Sequence, residues 1–199
     1  MEIERKFLVG PKDVPTSAMT VQHIRQGYIP TEDPESFCVR VRLVRYEGET
    51  LTRAAQLTVK APVTERTRHE FTYPMTVDDA EVLYARCPHR LEKERLHVLV
   101  GKHAWDVDVF RERHVGLVLA EVELESEDEE FERPDWLGRE VTGDPMFLNQ
   151  TLARTGVVPL PARPPVPSFG SEWAPYERAL QDMFEEEDRR CLETLRQGV

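Results

Sequence analysis

The sequence predicts a mainly β (α+β) domain of eight antiparallel strands, curled or closed on itself, with flanking helices and a C-terminal helical extension. Three observations carry this reading. Eight segments alternate polar and apolar residues with the period of a strand. Few helical segments separate them, which disfavours the crossovers a parallel sheet needs. Finally, the charges of most strands share one parity, so they share one face of the sheet.

The eight strands are placed at 2–9, 22–29, 37–46, 54–61, 66–74, 91–99, 103–110 and 117–125. Between the fifth and sixth, DDAEVLYARC reads as a helix over 78–87 that Pro88 ends. Asp144 and Pro145 open a second helix through MFLNQTLAR, stopped by Gly156. Residues 1–158 then form one domain, PLPARPPVP lies in an extended linker (159–171), and 172–199 form a charged helical extension.

With 199 residues, 40% apolar and 32% charged, the chain suits one sizeable globular domain. No apolar run reaches the length of a membrane span, and the acidic N-terminus is unlike a targeting peptide. Cys38, Cys87 and Cys191 are odd in number and scattered, which argues for a reducing cytoplasm rather than a disulfide framework. A net charge of -11 disfavours nucleic acid as a partner, because that binding neutralises phosphates with cations. It leaves room for a small polyanion held by a local basic cluster.

Parity makes that cluster visible. Glu2, Glu4 and Lys6 share a face on the first strand, Arg40 and Arg42 on the third, and Lys60 points with Thr58 on the fourth. Arg68 and Glu70 follow on the fifth, Lys93 and Arg95 on the sixth, Asp106 and Asp108 on the seventh, Glu121 and Glu123 on the eighth. A single such strand is explained by an antiparallel sheet with one wet face. The whole set is not, because the polar face is almost purely ionic and its signs segregate by strand. Acids occupy the first, seventh and eighth strands; bases occupy the third, fourth and sixth. The opposite parity carries Ile3, Phe7, Val39, Val41, Leu57, Val59, Phe71, Trp105, Val107, Val109, Val122 and Leu124, which need burying against helices. If the sheet closes, acids and bases line its interior, and unpaired buried charge is prohibitive. A metal–polyphosphate fits: carboxylates hold Mg²⁺ or Mn²⁺ while Lys and Arg take phosphate oxygens.

The opening EIERK, with QGY (26–28), RVR (40–42), LTVK (57–60), KER (93–95), WDVDVF (105–110), AEVEL (120–124) and WLGREVT (136–142), resembles the CYTH superfamily, or triphosphate tunnel metalloenzymes, in its short bacterial branch. The resemblance covers most of 1–155 and implies an eight-stranded closed tunnel. It implies metal-dependent hydrolysis of tripolyphosphate or another triphosphate. It also implies metal ligands at Glu2, Glu4, Glu121 and Glu123, with Asp108 and Glu70 assisting a second ion. Lys6, Arg40, Arg42, Lys60, Arg68, Lys93 and Arg95 would grip the substrate. Tyr28 would be catalytic, with Lys6 as the nearby cation that lets a phenol act as a base. The fifth strand has Glu70 followed by Thr72 where related sequences carry E-x-E. An adenylate cyclase on the same scaffold is the first alternative, and a noncatalytic polyphosphate-binding module the second. No Walker A loop is present, and the histidines (23, 69, 89, 97, 103, 114) lack zinc spacing. The expected partner is therefore a small triphosphate, with no nucleic acid and no membrane, acting on a monomer or homodimer.

Overall fold

In the computed structural model, residues 2–32, 37–51, 54–62 and 67–158 are described. Nine strands run in chain order: β1 (Glu2–Val9), β2 (Thr20–Ile29), β3 (Cys38–Tyr46), β4 (Ala54–Pro62), β5 (Thr67–Met75), β6 (His89–Val100), β7 (His103–Phe110), β8 (Val118–Glu123) and β9 (Leu137–Glu140). All pairings are antiparallel, in the order β5-β4-β3-β2-β6-β7-β8-β1-β9. The start of β1 also meets β5, through Glu2↔Arg68 and Ile3↔Thr67. The edge of β1 is therefore divided: β5 takes its first residues and β9 takes Phe7 and Val9.

The ninth strand corrects the expected count of eight. Four residues are too few to display an alternation, and β9 is held to β1 partly by an ion pair. Arg5 Nε donates to Glu140 Oε1 at 2.8 Å, and Arg5 Nη2 lies 2.5 Å from Glu140 Oε2.

Helix α1 (Val77–Arg86) starts where expected because Thr76 caps it: its hydroxyl oxygen accepts from Asp79 N at 3.2 Å. The helix covers the outer face of β3 and β4, burying Ala80, Tyr84 and Cys87 against Val41, Leu43 and Ala55. The second expected helix is two pieces. A 3₁₀ turn (Pro145–Phe147) precedes α2 (Asn149–Thr155), and Leu148 between them has extended backbone, ψ 130°. Gly156 ends α2 in the left-handed region, φ +66°, as a glycine can.

A second apolar layer lies outside β1, β7 and β8. Phe7, Val98, Val107 and Val122 surround the fully buried Trp105. Phe131 and Trp136 close over Trp105 edge-on, each with ring centroids 5.5 Å away. A third cluster caps one end of the charged face: Leu91, Phe110 and Leu119 pack against Phe147, Leu152 and Ala153 of the two helical pieces. Phe71 departs from the expected buried parity, being 52% exposed, because no helix covers β5 at that point. No described helix is long and apolar enough to cross a membrane. The linker at 159–171 and the extension at 172–199 lie outside the described residues.

β2 approaches the end of α1 closely at Gly27. A Cβ there would lie 2.7 Å from Cys87 Cβ and 2.8 Å from its Sγ. Gly27→Ala is expected to destabilise the domain by about 1–3 kcal/mol through overpacking. A lowered urea midpoint with an unchanged m-value is the signature; an unchanged midpoint would mean that α1 moves away freely.

Candidate active site

Most of the charged parity lines one cavity of about 1050 Å³. Its walls follow strand order. β4, β3, β2 and β6 are neighbours and bring Lys60, Arg40, Arg42 and Arg95 together; β7, β8 and β1 are neighbours and bring Asp106, Glu121, Glu123 and Glu4 together. Segregation of sign by strand therefore becomes segregation by wall.

Where the walls meet, the protein satisfies its own charges. At the β6–β7 boundary Asp108, fully buried, accepts from Arg95 Nε at 2.7 Å, from Arg95 Nη2 at 2.8 Å and from Lys93 Nζ. Arg95 also reaches Asp106 at 2.5 Å and Glu121 at 3.1 Å. Burial works against the charge on Arg95, yet Asp108, Glu121 and Asp106 hold its pKa well above the ordinary value. Burial also opposes the Asp108 carboxylate, but Arg95 and Lys93 hold its pKa below the usual range. Lys93 shares that carboxylate with a second cation, and burial pulls its pKa down to about 7. Across the sheet, Lys6 Nζ lies 2.9 Å from Glu121 and 3.7 Å from Glu4, and Lys60 Nζ lies 2.7 Å from Glu70.

Away from those boundaries the pairing is incomplete, although Arg40 Nη2 donates to Thr58 Oγ1 at 3.2 Å and lies 3.8 Å from Glu70 Oε1. The Nε groups of Arg40 and Arg42 are buried with no acceptor among the described residues. Burial, then Arg40 and Arg95, push Arg42 down to about 9, still cationic at neutral pH. On the acid wall Glu4 and Glu123 are directly opposed. Burial, then Asp106, Glu4 and Glu70, raise Glu123 above the usual carboxylate range, with Lys60 opposing. By contrast Lys6 and Arg95, outweighing burial, hold Glu121 well below it. The surplus negative charge around Glu123 is the place where the donor set fits a hard divalent cation. Among the described residues no three such side chains already converge on one point at coordination distance.

The expected site residues thus divide. Glu4, Lys6, Tyr28, Arg40, Arg42, Lys60, Glu70, Arg95, Glu121 and Glu123 all line the cavity. Glu2 and Arg68 face each other in register at the β1–β5 contact, and their side chains lie outside the described set. Lys93 and Asp108 sit behind the lining, bonded to each other. Lys93 also donates to Asn149 Oδ1 of α2 at 3.5 Å. Asp106, one turn of the pleat from Asp108, lines the cavity instead, and its other oxygen lies 2.6 Å from His97 Nδ1. Its parity marked it as interior, but parity gives no depth. Asn149, Gln150, Thr151 and Arg154 of α2 also reach the cavity and carry no strand signal.

The Tyr28 hydroxyl oxygen accepts from Gln26 Nε2 at 2.7 Å. Burial drives its pKa further up, and the charges opposing that are Arg40 and Arg42; Lys6, expected to be its activator, bonds Glu121. At the far rim Glu129 accepts from Lys102 at 2.7 Å, from Glu125 N at 2.7 Å and from His103 at 3.0 Å. Those bonds depress its pKa to about 2.

The family model described as the CYTH domain matches residues 1–152. A protein of Acetivibrio thermocellus named inorganic triphosphatase is 40% identical over 155 residues, spanning 77% of this chain and 93% of that one. A second protein of that name, from Nitrosomonas europaea, is 34% identical over 76% of this chain and 96% of its own. A crystal structure of an inorganic triphosphatase superposes with a TM-score of 0.55 at 31% identity, covering 77% of this chain and 94% of that one.

Two outcomes follow from the ion pairs. Asp108→Asn leaves Lys93 and Arg95 buried without their shared carboxylate, and is expected to lower unfolding free energy by about 3–5 kcal/mol in urea titration. The depressed carboxylates set an acid limit. The stability they contribute is present above their unfolded values, near pH ~4.3 for Glu. It is lost as pH falls through the folded values, about 2 for Glu129. Unfolding free energy measured from pH 6 downward is expected to fall mainly below about pH 4. A flat profile to pH ~2 would show that these bonds add nothing.

Proposed function

Because this chain belongs to the CYTH domain family, we propose that it is an inorganic triphosphatase, hydrolysing the terminal anhydride of tripolyphosphate. The observation that carries the proposal is the pair of buried Nε donors on Arg40 and Arg42 without acceptors, in the same cavity as the carboxylates crowding Glu123. A chain of phosphates offers acceptor oxygens to the first and recruits a cation to the second. The names of the two bacterial relatives favour an inorganic substrate. The short β1–β5 contact, Glu2↔Arg68 and Ile3↔Thr67, supports reading the sheet as curled toward a tunnel. The compact unit Met1–Pro159 supports residues 1–158 as the working unit. The buried free thiol of Cys87 fits a reducing cytoplasm.

Glu4, Glu121, Glu123, Glu70 and Glu2 would hold Mg²⁺ or Mn²⁺, joined by Asp106. Asp108 is assigned to holding Arg95 and Lys93, since both its oxygens are already bonded. When bound, the ion shields phosphate charge and acidifies a water. Arg40, Arg42, Lys60, Lys6, Arg68 and Arg95 bind and orient the polyanion. Water adds to the terminal phosphorus as the bridging P–O bond breaks, yielding orthophosphate and pyrophosphate. In so loose a transition state, positioning and electrostatics carry most of the rate. Tyr28, its pKa raised rather than lowered, keeps its proton and donates a hydrogen bond to a phosphate oxygen.

Orthophosphate is expected from tripolyphosphate with Mg²⁺ or Mn²⁺ and none after EDTA. Arg42→Ala, losing a charge-assisted contact, is expected to lower kcat/KM roughly 10- to 150-fold, with a raised KM. Absence of orthophosphate with either metal would overturn the proposal, and cyclic nucleotide plus pyrophosphate from ATP would replace it with a cyclase.

A further inference from the structure

We propose that Gln26 is a positioning residue: its side-chain amide fixes the Tyr28 phenol so that the phenolic proton points at the substrate. The inference rests on the triphosphatase reading for its substrate, and on the geometry around Gln26 for everything else.

Gln26 and Tyr28 are two apart on β2, so they share the interior face. Gln26 is fully buried, 0% exposed, between Arg42 of β3 and Leu91 of β6 in register. A leucine would fill such a site without a desolvation penalty. The glutamine instead gives one bond, from Nε2 to the Tyr28 hydroxyl oxygen at 2.7 Å, and leaves its Oε1 without a partner among the described residues.

That bond has a direction. A phenol has one proton and two lone pairs. With an amide N–H on a lone pair, the proton has to go elsewhere, and Tyr28 donates no hydrogen bond among the described residues. Tyr28 lines the cavity, so the free proton faces the place where phosphate oxygens would lie. Turning the amide over would reverse this: Oε1 would accept the phenolic proton and take it from the substrate. The neighbouring cation disfavours that orientation. Arg42 stands directly opposite Gln26 on the same face, with Cβ atoms about 4.5–5.5 Å apart at such positions. Turning the amide would bring its N–H groups toward a guanidinium that already lacks an acceptor. The carbonyl oxygen belongs on the Arg42 side and the amide nitrogen on the Tyr28 side.

The test is a double-mutant cycle on Gln26→Met and Tyr28→Phe. Both replacements nearly conserve volume, and thermal melts check folding. Turnover of tripolyphosphate and its calorimetric binding without metal are measured for the wild type, both single variants and the double. Each single variant is expected to lose roughly tenfold or more in kcat, with the double no worse than Tyr28→Phe alone. Gln26→Glu, whose carboxylate accepts the phenolic proton, is expected to match Tyr28→Phe. Losses that multiply in the double, or wild-type kcat in Gln26→Met, would overturn the role of Gln26 while leaving the triphosphatase reading intact. If the wild type releases no phosphate, that reading falls and the binding cycle decides. Non-additive weakening then upholds the coupling of Gln26 to Tyr28, and additive or absent weakening rejects it.

Discussion

The interior of this sheet depends on one carboxylate. Asp108, with no exposed surface, is shared by Lys93 and Arg95 at the junction where the basic strands give way to the acidic ones. Two cations buried side by side repel each other in a medium that screens poorly. Without that carboxylate, Arg95 would be left to Asp106 and Glu121 alone, and Lys93 would lose the carboxylate it bonds. Because Asp108 comes from the adjacent strand in direct register with Arg95, the pair forms as β6 and β7 zip together. The hairpin that makes the sheet also makes its electrostatics tolerable.

The same logic orders the rest of the charges. Opposite signs lie side by side where β6 meets β7 and where β4 meets β5, and within the acidic wall where Lys6 of β1 meets Glu121 of β8. There the protein neutralises itself. In the middle of the basic wall, Arg40 and Arg42 are left with unmatched donors; in the middle of the acidic wall, Glu4 and Glu123 face each other. Orphaned donors on one wall and crowded carboxylates on the other border one cavity, so a ligand that relieves one wall alone leaves the other as it was. On the proposed reading a metal ion with a polyphosphate would relieve both, and each would lower the cost of holding the other.

The sequence displays parity because a strand alternates without regard to its neighbours, so the charged interior could be read from β1, β3, β6, β7 and β8 alone. It does not display depth or adjacency. Asp106 and Asp108 are indistinguishable by parity, yet one lines the cavity and the other lies behind Arg95. What separates them is the pairing of β7 with β6 and β8, which depends on β6 crossing over to join β2. Gln26 escaped for a different reason: it is neutral, and a search for charge passes over an amide whose importance lies in which way it donates. β9 escaped because four residues hold too little pattern, and the break in the second helix because Leu148 is an ordinary helix former by composition.

An asymmetry along the cavity gives it a direction. At one end the interior face turns apolar, with Leu91, Phe110 and Leu119 covered by Phe147, Leu152 and Ala153. His114, itself buried, holds that cover through a 2.9 Å contact from its Nε2 to the Leu152 carbonyl. Toward the other rim the lining is polar, ending at Lys102, His103, Glu125 and Glu129. Asn149 links the covered end to the ion pairs, since Lys93 bonds both Asn149 and Asp108. Of the basic residues on the strands, Lys93 and Arg95 are therefore the ones these bonds tie to the apolar, helix-capped end. Through Lys93 and Asp108, the placement of α2 bears on how firmly Arg95 is held against the acidic wall.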